Sequence, residues 1–70
     1  MTRVTGWLVS SYGLTAFYEI DHHWYDLAGR CLYKVIGTNV FRMQGGARAF
    51  YIRDGWAFDA SGAGRYYYGR

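Results

Sequence analysis

The sequence predicts an all-β protein built from four consecutive β-hairpins in a pseudo-fourfold arrangement. A small irregular antiparallel β-barrel is the alternative. Three observations support this fold class. Ten glycines are spread along the 70 residues, which disfavours helices. The segments between the glycines are rich in β-branched and aromatic residues, which favour strands. A turn motif also recurs four times at a spacing of about sixteen residues, which indicates a repeat architecture.

The repeated motif is a polar residue followed three positions later by glycine. It occurs at Ser10 and Gly13, Asp26 and Gly29, Arg42 and Gly45, and Asp59 and Gly62, and the glycines lie 16, 16 and 17 residues apart. An Asp or Ser side chain that opens a type I turn accepts hydrogen bonds from backbone N–H groups further along. Glycine then adopts the left-handed conformation of the G1 bulge that follows. Each repeat is therefore predicted to form a strand, a tight turn and a strand. Arg42 lacks a short acceptor side chain, so the third turn is predicted to be the least well capped.

Shorter turns are predicted to link the four hairpins. Asp54-Gly55 favours a type I′ turn and Gly37-Thr38 favours a type II′ turn. The two kinds of turn divide the chain into eight strands, predicted over residues 6–10, 14–20, 23–26, 31–36, 39–42, 48–53, 56–59 and 65–68. The hairpins then occupy residues 6–20, 23–36, 39–53 and 56–68 of a single domain that spans residues 1–70.

The core is predicted from the linking segments, which superpose without gaps when their isoleucines are aligned. The predicted anchor positions are Trp7, Trp24, Val40 and Trp56, together with Ile20, Ile36 and Ile52. Isolated hairpins are marginal in water, so four of them would stabilise one another by joining these apolar faces. We expect side chains rather than a channel to fill the axis, and an irregular barrel of about five or six strands is the competing geometry.

Composition limits the class of protein. Aromatic residues make up 21% of the chain, which excludes ordinary disorder. The single cysteine excludes an internal disulfide framework. No uncharged stretch is long and apolar enough to span a bilayer as a helix. The N-terminal end carries one positive charge but no sustained apolar segment, so we expect no signal peptide and a cytoplasmic location.

Residue types that carry catalysis or bind metals are few and scattered. His22 and His23 are adjacent, so on a strand they point to opposite faces and cannot chelate one metal together. Cys31 follows Arg30, but no general base is identifiable near it. Three of the five carboxylates already have turn roles. We therefore expect no metal, no cofactor and no monomeric enzyme. An enzyme with a site shared between subunits is the least favoured alternative.

Arginine and aromatic residues in excess of structural need indicate a binding surface. Seven of the eight cationic residues are arginines, and the net charge is +3. Tyr, Trp and Arg dominate binding hot spots. The candidate binding residues are Arg30, Arg48, Arg53, Arg65, Tyr66, Tyr67 and Tyr68. The arginines recur near the outgoing strands, so pseudosymmetry suggests that they form a ring.

This surface predicts a small non-catalytic binding module, such as an inhibitor or accessory protein. Its Tyr/Arg-rich face would engage a protein partner or further copies of the chain. Single-stranded nucleic-acid binding by base stacking is the alternative. In a purely structural role, the arginines would instead guard strand edges and the tyrosines would cover a thin core.

Three stretches of sequence carry a resemblance to a known family. They are Trp24-Tyr25-Asp26-Leu27-Ala28-Gly29-Arg30, Leu32-Tyr33 and Trp56-Ala57-Phe58-Asp59-Ala60-Ser61-Gly62. These motifs resemble the bacterial four-fold beta flower domains, and the resemblance covers the chain from about Trp7 to Tyr68. The first repeat departs by having Ser10 in place of Asp, and the third by having Arg42. The resemblance implies four hairpins and a bacterial or phage origin. That family has no established catalytic residues, so none is transferred.

Overall fold

The computed structural model describes residues 4–69, in which all of the regular structure is β-strand. Residues 1–3, on which the signal-peptide prediction depends, and Arg70 lie outside the described residues. The strands are β1 (Gly6–Ser10), β2 (Thr15–Ile20), β3 (His23–Asp26), β4 (Cys31–Ile36), β5 (Asn39–Arg42), β6 (Arg48–Arg53), β7 (Trp56–Phe58) and β8 (Gly64–Gly69). The all-β prediction is confirmed, and every strand end falls within one residue of its predicted position.

The eight strands form a closed barrel. Each strand pairs antiparallel with the next one in sequence, and β8 pairs with β1 to complete the ring. The barrel alternative is therefore confirmed, with eight strands in place of the expected five or six. The number is larger because all eight strands of the four predicted hairpins join the barrel. Closure leaves none of these strands with a free edge.

The four glycine turns (residues 10–13, 26–29, 42–46 and 59–62) lie together at one end of the barrel. We call this end, including the residues that adjoin the turns, the turn end. Gly13, Gly29, Gly45 and Gly62 have φ values of 87°, 90°, 88° and 87°, as the predicted bulge requires. The third turn contains one additional residue, Gly46, with φ 75°. Within residues 4–69, Ser10, Asp26 and Asp59 each accept backbone hydrogen bonds in their turns, whereas the Arg42 side chain makes no such bond.

The opposite end, which we call the link end, consists of the shorter turns that join successive hairpins. Asp54 and Gly55 both have positive φ (53° and 79°), as in the predicted type I′ turn. At Gly37-Thr38 only the glycine has a positive φ, 62°, as in the predicted type II′ turn. The remaining link has positive φ at Asp21 and at His22, a conformation that non-glycine residues adopt rarely.

The core is built from one buried residue and one aromatic residue of each hairpin. The buried residues are Leu8, Trp24, Val40 and Ala57, and their partners on the next strand are Phe17, Tyr33, Phe50 and Tyr66. The four aromatic rings meet edge to face in a closed cycle, with centroids 5.1 to 5.6 Å apart. We call this cycle the aromatic ring of the barrel. Side chains therefore fill the axis, as predicted.

Two of the four predicted tryptophan and valine anchors are wrong by one position. Trp7 is exposed and Trp56 half-buried, because the neighbouring residues Leu8 and Ala57 point inward instead. For the fourth hairpin the cause is Gly46, which shifts all later residues by one position relative to the earlier repeats. Successive residues of a strand face opposite sides, so a shift of one exchanges core and surface.

The same shift separates the three aligned isoleucines. Ile52 packs against the core, whereas Ile36 is exposed and Ile20 is half-buried. In the barrel, Arg53 is the residue equivalent to Ile20 and Ile36. The alignment of Ile52 with these two isoleucines is therefore wrong by one residue. The prediction that all three anchor the core is therefore wrong for Ile36.

Candidate functional site

The tyrosine run in β8 divides between the two faces of the barrel wall. Tyr66 belongs to the aromatic ring, with its centroid 5.1 Å from that of Phe17. Tyr68 also points inward, whereas Tyr67 lies outside and packs on Trp56 at 5.0 Å. The three tyrosines therefore do not form one binding face, and two of them belong to the core.

The four candidate arginines are all exposed, but they occupy different positions of the repeat. Relative to the ring aromatic of its own hairpin, Arg30 lies three residues before, Arg48 two before, Arg53 three after and Arg65 one before. They therefore do not form a ring of equivalent residues. Arg53 lies at the link end. The guanidinium of Arg48 reaches Asn39 at 3.1 Å and lies over Tyr51 at 5.8 Å.

Arg30 and Arg65 belong to the turn end, where each pairs with the aspartate that opens its own turn. The Nε atom of Arg30 lies 2.8 Å from Asp26 Oδ2, and the Nη1 atom of Arg65 lies 3.2 Å from Asp59 Oδ2. The side chains of Asp26 and Asp59 are only 15% and 23% exposed, whereas those of the arginines are 77% and 55% exposed. The carboxylates therefore lie beneath the surface, and the guanidinium groups face the solvent.

Both turn aspartates have a lowered pKa. The backbone N–H of Arg30 donates to Asp26, and this bond and the Arg30 side chain lower the pKa of that carboxyl. At Asp59, hydrogen bonds from the Ser61 hydroxyl, the Ala63 N–H and Arg65 lower the pKa to about 2. Both groups are therefore ionised and fully engaged in their turns at neutral pH.

The turn end also exposes large apolar side chains that are not among the predicted binding residues. They are Tyr12, Leu14, Leu27 and Met43, between 47% and 91% exposed. Their positions in and beside the glycine turns are the feature of the sequence that indicates exposure, because tight turns project their central side chains away from the sheet. We call these four residues, with Arg30, Arg42 and Arg65, the turn-end surface.

The outward aromatic residues of the strands stack on one another. Tyr18 and Tyr25 face each other across β2 and β3 at 5.5 Å with an interplanar angle of 13°, and Trp7 lies against Tyr18 at 5.9 Å. On the other side, Tyr51 and Phe58 stack at 5.4 Å and 22°. Each of these stacked rings therefore has one face covered by its partner.

A carboxylate inside the barrel was also missed. Oε1 of Glu19 accepts hydrogen bonds from Trp24 Nε1 at 2.8 Å and from the Tyr68 hydroxyl at 2.6 Å. Burial, followed by the neighbouring carboxylate, raises the pKa of Tyr68, so this hydroxyl stays protonated and donates. The equivalent positions in the second and third hairpins hold Val35 and Ile52, which gave no indication that this position is polar in the first hairpin.

Two cavities open on the barrel surface. One, of about 370 Å³, lies where β8 meets β1 and is lined by Val4, Thr5, Gly6, Trp7, Tyr68 and Gly69. The second, of about 230 Å³, lies at the turn end and is lined by Leu32, Tyr33, Arg42 and Gln44. The second cavity combines the Leu32 side chain and the Tyr33 ring with one guanidinium group and the Gln44 amide. It therefore suits a side chain or ligand that is both apolar and anionic.

The residues considered for catalysis lie apart from these cavities. His22 is exposed in a link, and Nδ1 of His23 lies 2.9 Å from the carbonyl oxygen of Asp21. Cys31 is a free, half-buried thiol whose sulfur lies 3.9 Å from the Tyr33 carbonyl oxygen. Among residues 4–69, no three or more His, Cys, Asp or Glu side chains come together as a metal site would require.

The geometry defines a small closed β-barrel of four hairpins with an apolar, arginine-bearing end. No family model, no curated protein and no solved structure matches this chain. Residues 4–69 also contain no helix with the length and apolar character needed to cross a membrane. The functional inference therefore rests on the surfaces of the barrel.

Proposed function

We propose that the chain is a small non-catalytic binding module that engages a protein partner, as an inhibitor or accessory protein does. The observation that carries the proposal is the exposure of Tyr12, Leu14, Leu27 and Met43 at one end of a chain with a small core. Exposed apolar side chains gathered at one end are typical of interaction surfaces, whereas those scattered singly are ordinary. The four hairpins also support membership of the four-fold beta flower domains of bacteria or phages. The lone free thiol of Cys31 supports a cytoplasmic location.

Recognition by side chains, rather than by backbone pairing, follows from the closed barrel. A peptide that adds a strand to a sheet needs an edge with free N–H and C=O groups. Here each of the eight strands is paired on both sides, including β8 with β1. A partner must therefore bind the turns, the links or the outward side chains of the wall.

The outward rings disfavour single-stranded nucleic acid as the partner. Bases stack on the open faces of aromatic side chains in such complexes. Tyr18 and Tyr25 each cover one face of the other, and Tyr51 and Phe58 do the same, which leaves fewer open faces for bases. The most exposed ring, that of Tyr12, lies on a turn apart from these pairs.

Affinity capture followed by reconstitution tests the proposal. The immobilised protein would be incubated with lysate of the source cells, and each captured protein would be purified and titrated against it by calorimetry. We expect at least one purified protein to bind in a saturable manner. Light scattering after size exclusion would detect self-association. A monomer that binds no purified candidate, or that binds only single-stranded DNA or RNA, would contradict the proposal.

A further inference from the structure

We propose that the turn-end surface docks a protein segment that combines carboxylate groups with aliphatic side chains. This inference rests on the proposed function as a protein-binding module, and it specifies both the surface and the chemistry of the partner. Three features of the turn end support it: its apolar side chains, its outward-facing arginines and its cavity.

The first feature is the concentration of apolar side chains. Among residues 4–69, four of the six exposed large hydrophobic residues belong to the turn end. Three of these four are aliphatic, namely Leu14, Leu27 and Met43. The first turn is held in shape by Ser10, whose Oγ atom accepts hydrogen bonds from the N–H groups of Tyr12 and Leu14 at 3.2 Å. The side chains are therefore presented on a preorganised turn, which reduces the ordering cost of binding.

The second feature is the charge that the turn end presents. Both oxygens of Asp26 and of Asp59 accept hydrogen bonds within their own turns. The guanidinium groups of Arg30 and Arg65 lie outside them, and Arg42 is also exposed. A partner therefore meets arginines before carboxylates. Electrostatic complementarity then selects an acidic segment, to which arginine donates charge-assisted hydrogen bonds.

The third feature is the cavity of about 230 Å³ between β4 and the third turn. Leu32 and Tyr33 line it together with Arg42 and Gln44. The N–H of Met43 donates to the carbonyl oxygen of Leu32 at 3.0 Å, which holds the turn against the strand. An aliphatic side chain of the partner fits against Leu32 and Tyr33, with a neighbouring carboxylate on Arg42.

Other occupants fit this surface less well. Two copies of the chain docked turn end to turn end would bring like-charged arginines together, which costs affinity. Single-stranded nucleic acid would find phosphate partners in the arginines. However, Tyr12 is the one exposed ring among the seven residues of this surface, and bases cannot stack on the aliphatic side chains of Leu14, Leu27 and Met43.

Selection from a random peptide library displayed on phage tests the inference. The folded protein is the bait, and enriched peptides are synthesised with a fluorescent label and titrated by anisotropy. We expect the enriched sequences to combine Asp or Glu with Leu, Ile, Val or Met. We expect the double variant Leu27→Ser, Met43→Ser and the single variant Arg42→Ser each to weaken binding by about tenfold.

Matched controls lie at the link end. Ile36→Ser and Arg53→Ser remove exposed side chains of the same types, and we expect them to leave the affinity unchanged. Near-ultraviolet circular dichroism would confirm that each variant is folded. Enriched peptides without acidic residues, equal losses at the link end, or displacement of the peptide by oligo(dT) would overturn the inference. A library that enriches nothing would also overturn it, whereas the lysate capture decides the proposed function separately.

Discussion

Replacing Glu19 with valine would strand two hydrogen-bond donors inside the barrel. The Glu19 carboxylate accepts from Trp24 Nε1 and from the Tyr68 hydroxyl. Valine fits this position sterically, because the equivalent residues of the second and third hairpins are Val35 and Ile52. The substitution therefore removes the acceptor with little change to the packing.

The expected loss of stability follows from the two donors that are left without an acceptor. A hydrogen bond to a charged group contributes about 1.5–3 kcal/mol, and a buried donor left without a partner costs about 1–3 kcal/mol. Tyr68 can regain part of its loss from water because it is only half-buried, whereas Trp24 is fully buried. We expect Glu19→Val to lower the free energy of unfolding by about 3 kcal/mol. The free energy of unfolding of a domain of this size is about 4–10 kcal/mol, so the variant should remain mostly folded.

A double-mutant cycle with Tyr68→Phe separates hydrogen bonding from packing. Tyr68→Phe removes one of the stranded donors, so the double variant should be more stable than the sum of the single losses by about 1–2 kcal/mol. Urea titration followed by tryptophan fluorescence measures each corner of the cycle. Glu19→Gln is the control, because it keeps an acceptor oxygen and should lose about 1 kcal/mol. Additive losses, or a Glu19→Val variant as stable as the parent, would refute this account of the Glu19 carboxylate.

Three further predictions concern the turns and the core. Asp59 has a pKa lowered to about 2, so its contribution to stability is present above its unfolded pKa of about 4 and is lost as the pH falls towards 2. The melting temperature should therefore drop less between pH 5 and pH 2 in Asp59→Asn than in the parent, and equal drops would contradict this. Deleting Gly46 gives the third turn the same length as the others, so the variant should keep its near-ultraviolet dichroism; loss of that signal would show that the extra residue is needed. Phe50→Ala opens the aromatic ring and should lower the unfolding free energy by about 3 kcal/mol. Tyr12→Ala, at an exposed position, should change it by less than about 0.5 kcal/mol, and similar losses in thermal melts would count against the ring as the core.

The strands and turns were predictable because their chemistry is local. A polar residue three positions before a glycine is sufficient to indicate a type I turn with its bulge. The positive φ of Gly13 and Gly62 and the side-chain hydrogen bonds of Asp59 follow directly from this pattern. The same local rule marked Arg42 as the residue that leaves its turn uncapped.

The assignment of faces was less predictable, because aromatic residues occupy both sides of the wall. In Trp56-Ala57-Phe58 the smallest residue is buried, and the two aromatic residues lie towards the outside. In Tyr66-Tyr67-Tyr68 all three side chains are chemically alike, and only their alternation separates core from surface. Hydropathy does not indicate the inward face in either segment. The one-residue offset that Gly46 introduces therefore determines which residues of these two segments face the core.

The candidate site was predictable only in part, for a related reason. Arg30 and Arg65 could be placed near the turns from sequence, because each follows a turn glycine closely. Tyr12, Leu27 and Met43 were not among the predicted binding residues, since the surface that a turn forms depends on where it points after the barrel closes. Tyr66 and Tyr68 were predicted to be binding residues, but both pack against the core.

The core and the turn end break the fourfold symmetry of the hairpins in different ways. At the buried position the four hairpins hold Leu8, Trp24, Val40 and Ala57, and the largest and smallest of these belong to hairpins on opposite sides of the barrel. One indole fills the axis, where it contacts rings of other hairpins, including Phe17 and Phe50. Four indoles would not fit there, so dense packing requires the repeats to differ at this position.

The turn end is under no such packing constraint, yet its side chains differ as well. The residue after the first turn position is Ser11, Leu27, Met43 or Ala60 in the four hairpins. The two large apolar residues of this set, Leu27 and Met43, therefore lie in the adjacent second and third turns, beside Arg42 and the 230 Å³ cavity, and Tyr12 and Leu14 lie in and beside the first turn. A fourfold scaffold whose exposed large apolar residues are unequally distributed among its turns binds in one orientation. A single asymmetric partner segment therefore suits this surface better than a symmetric ring of partners.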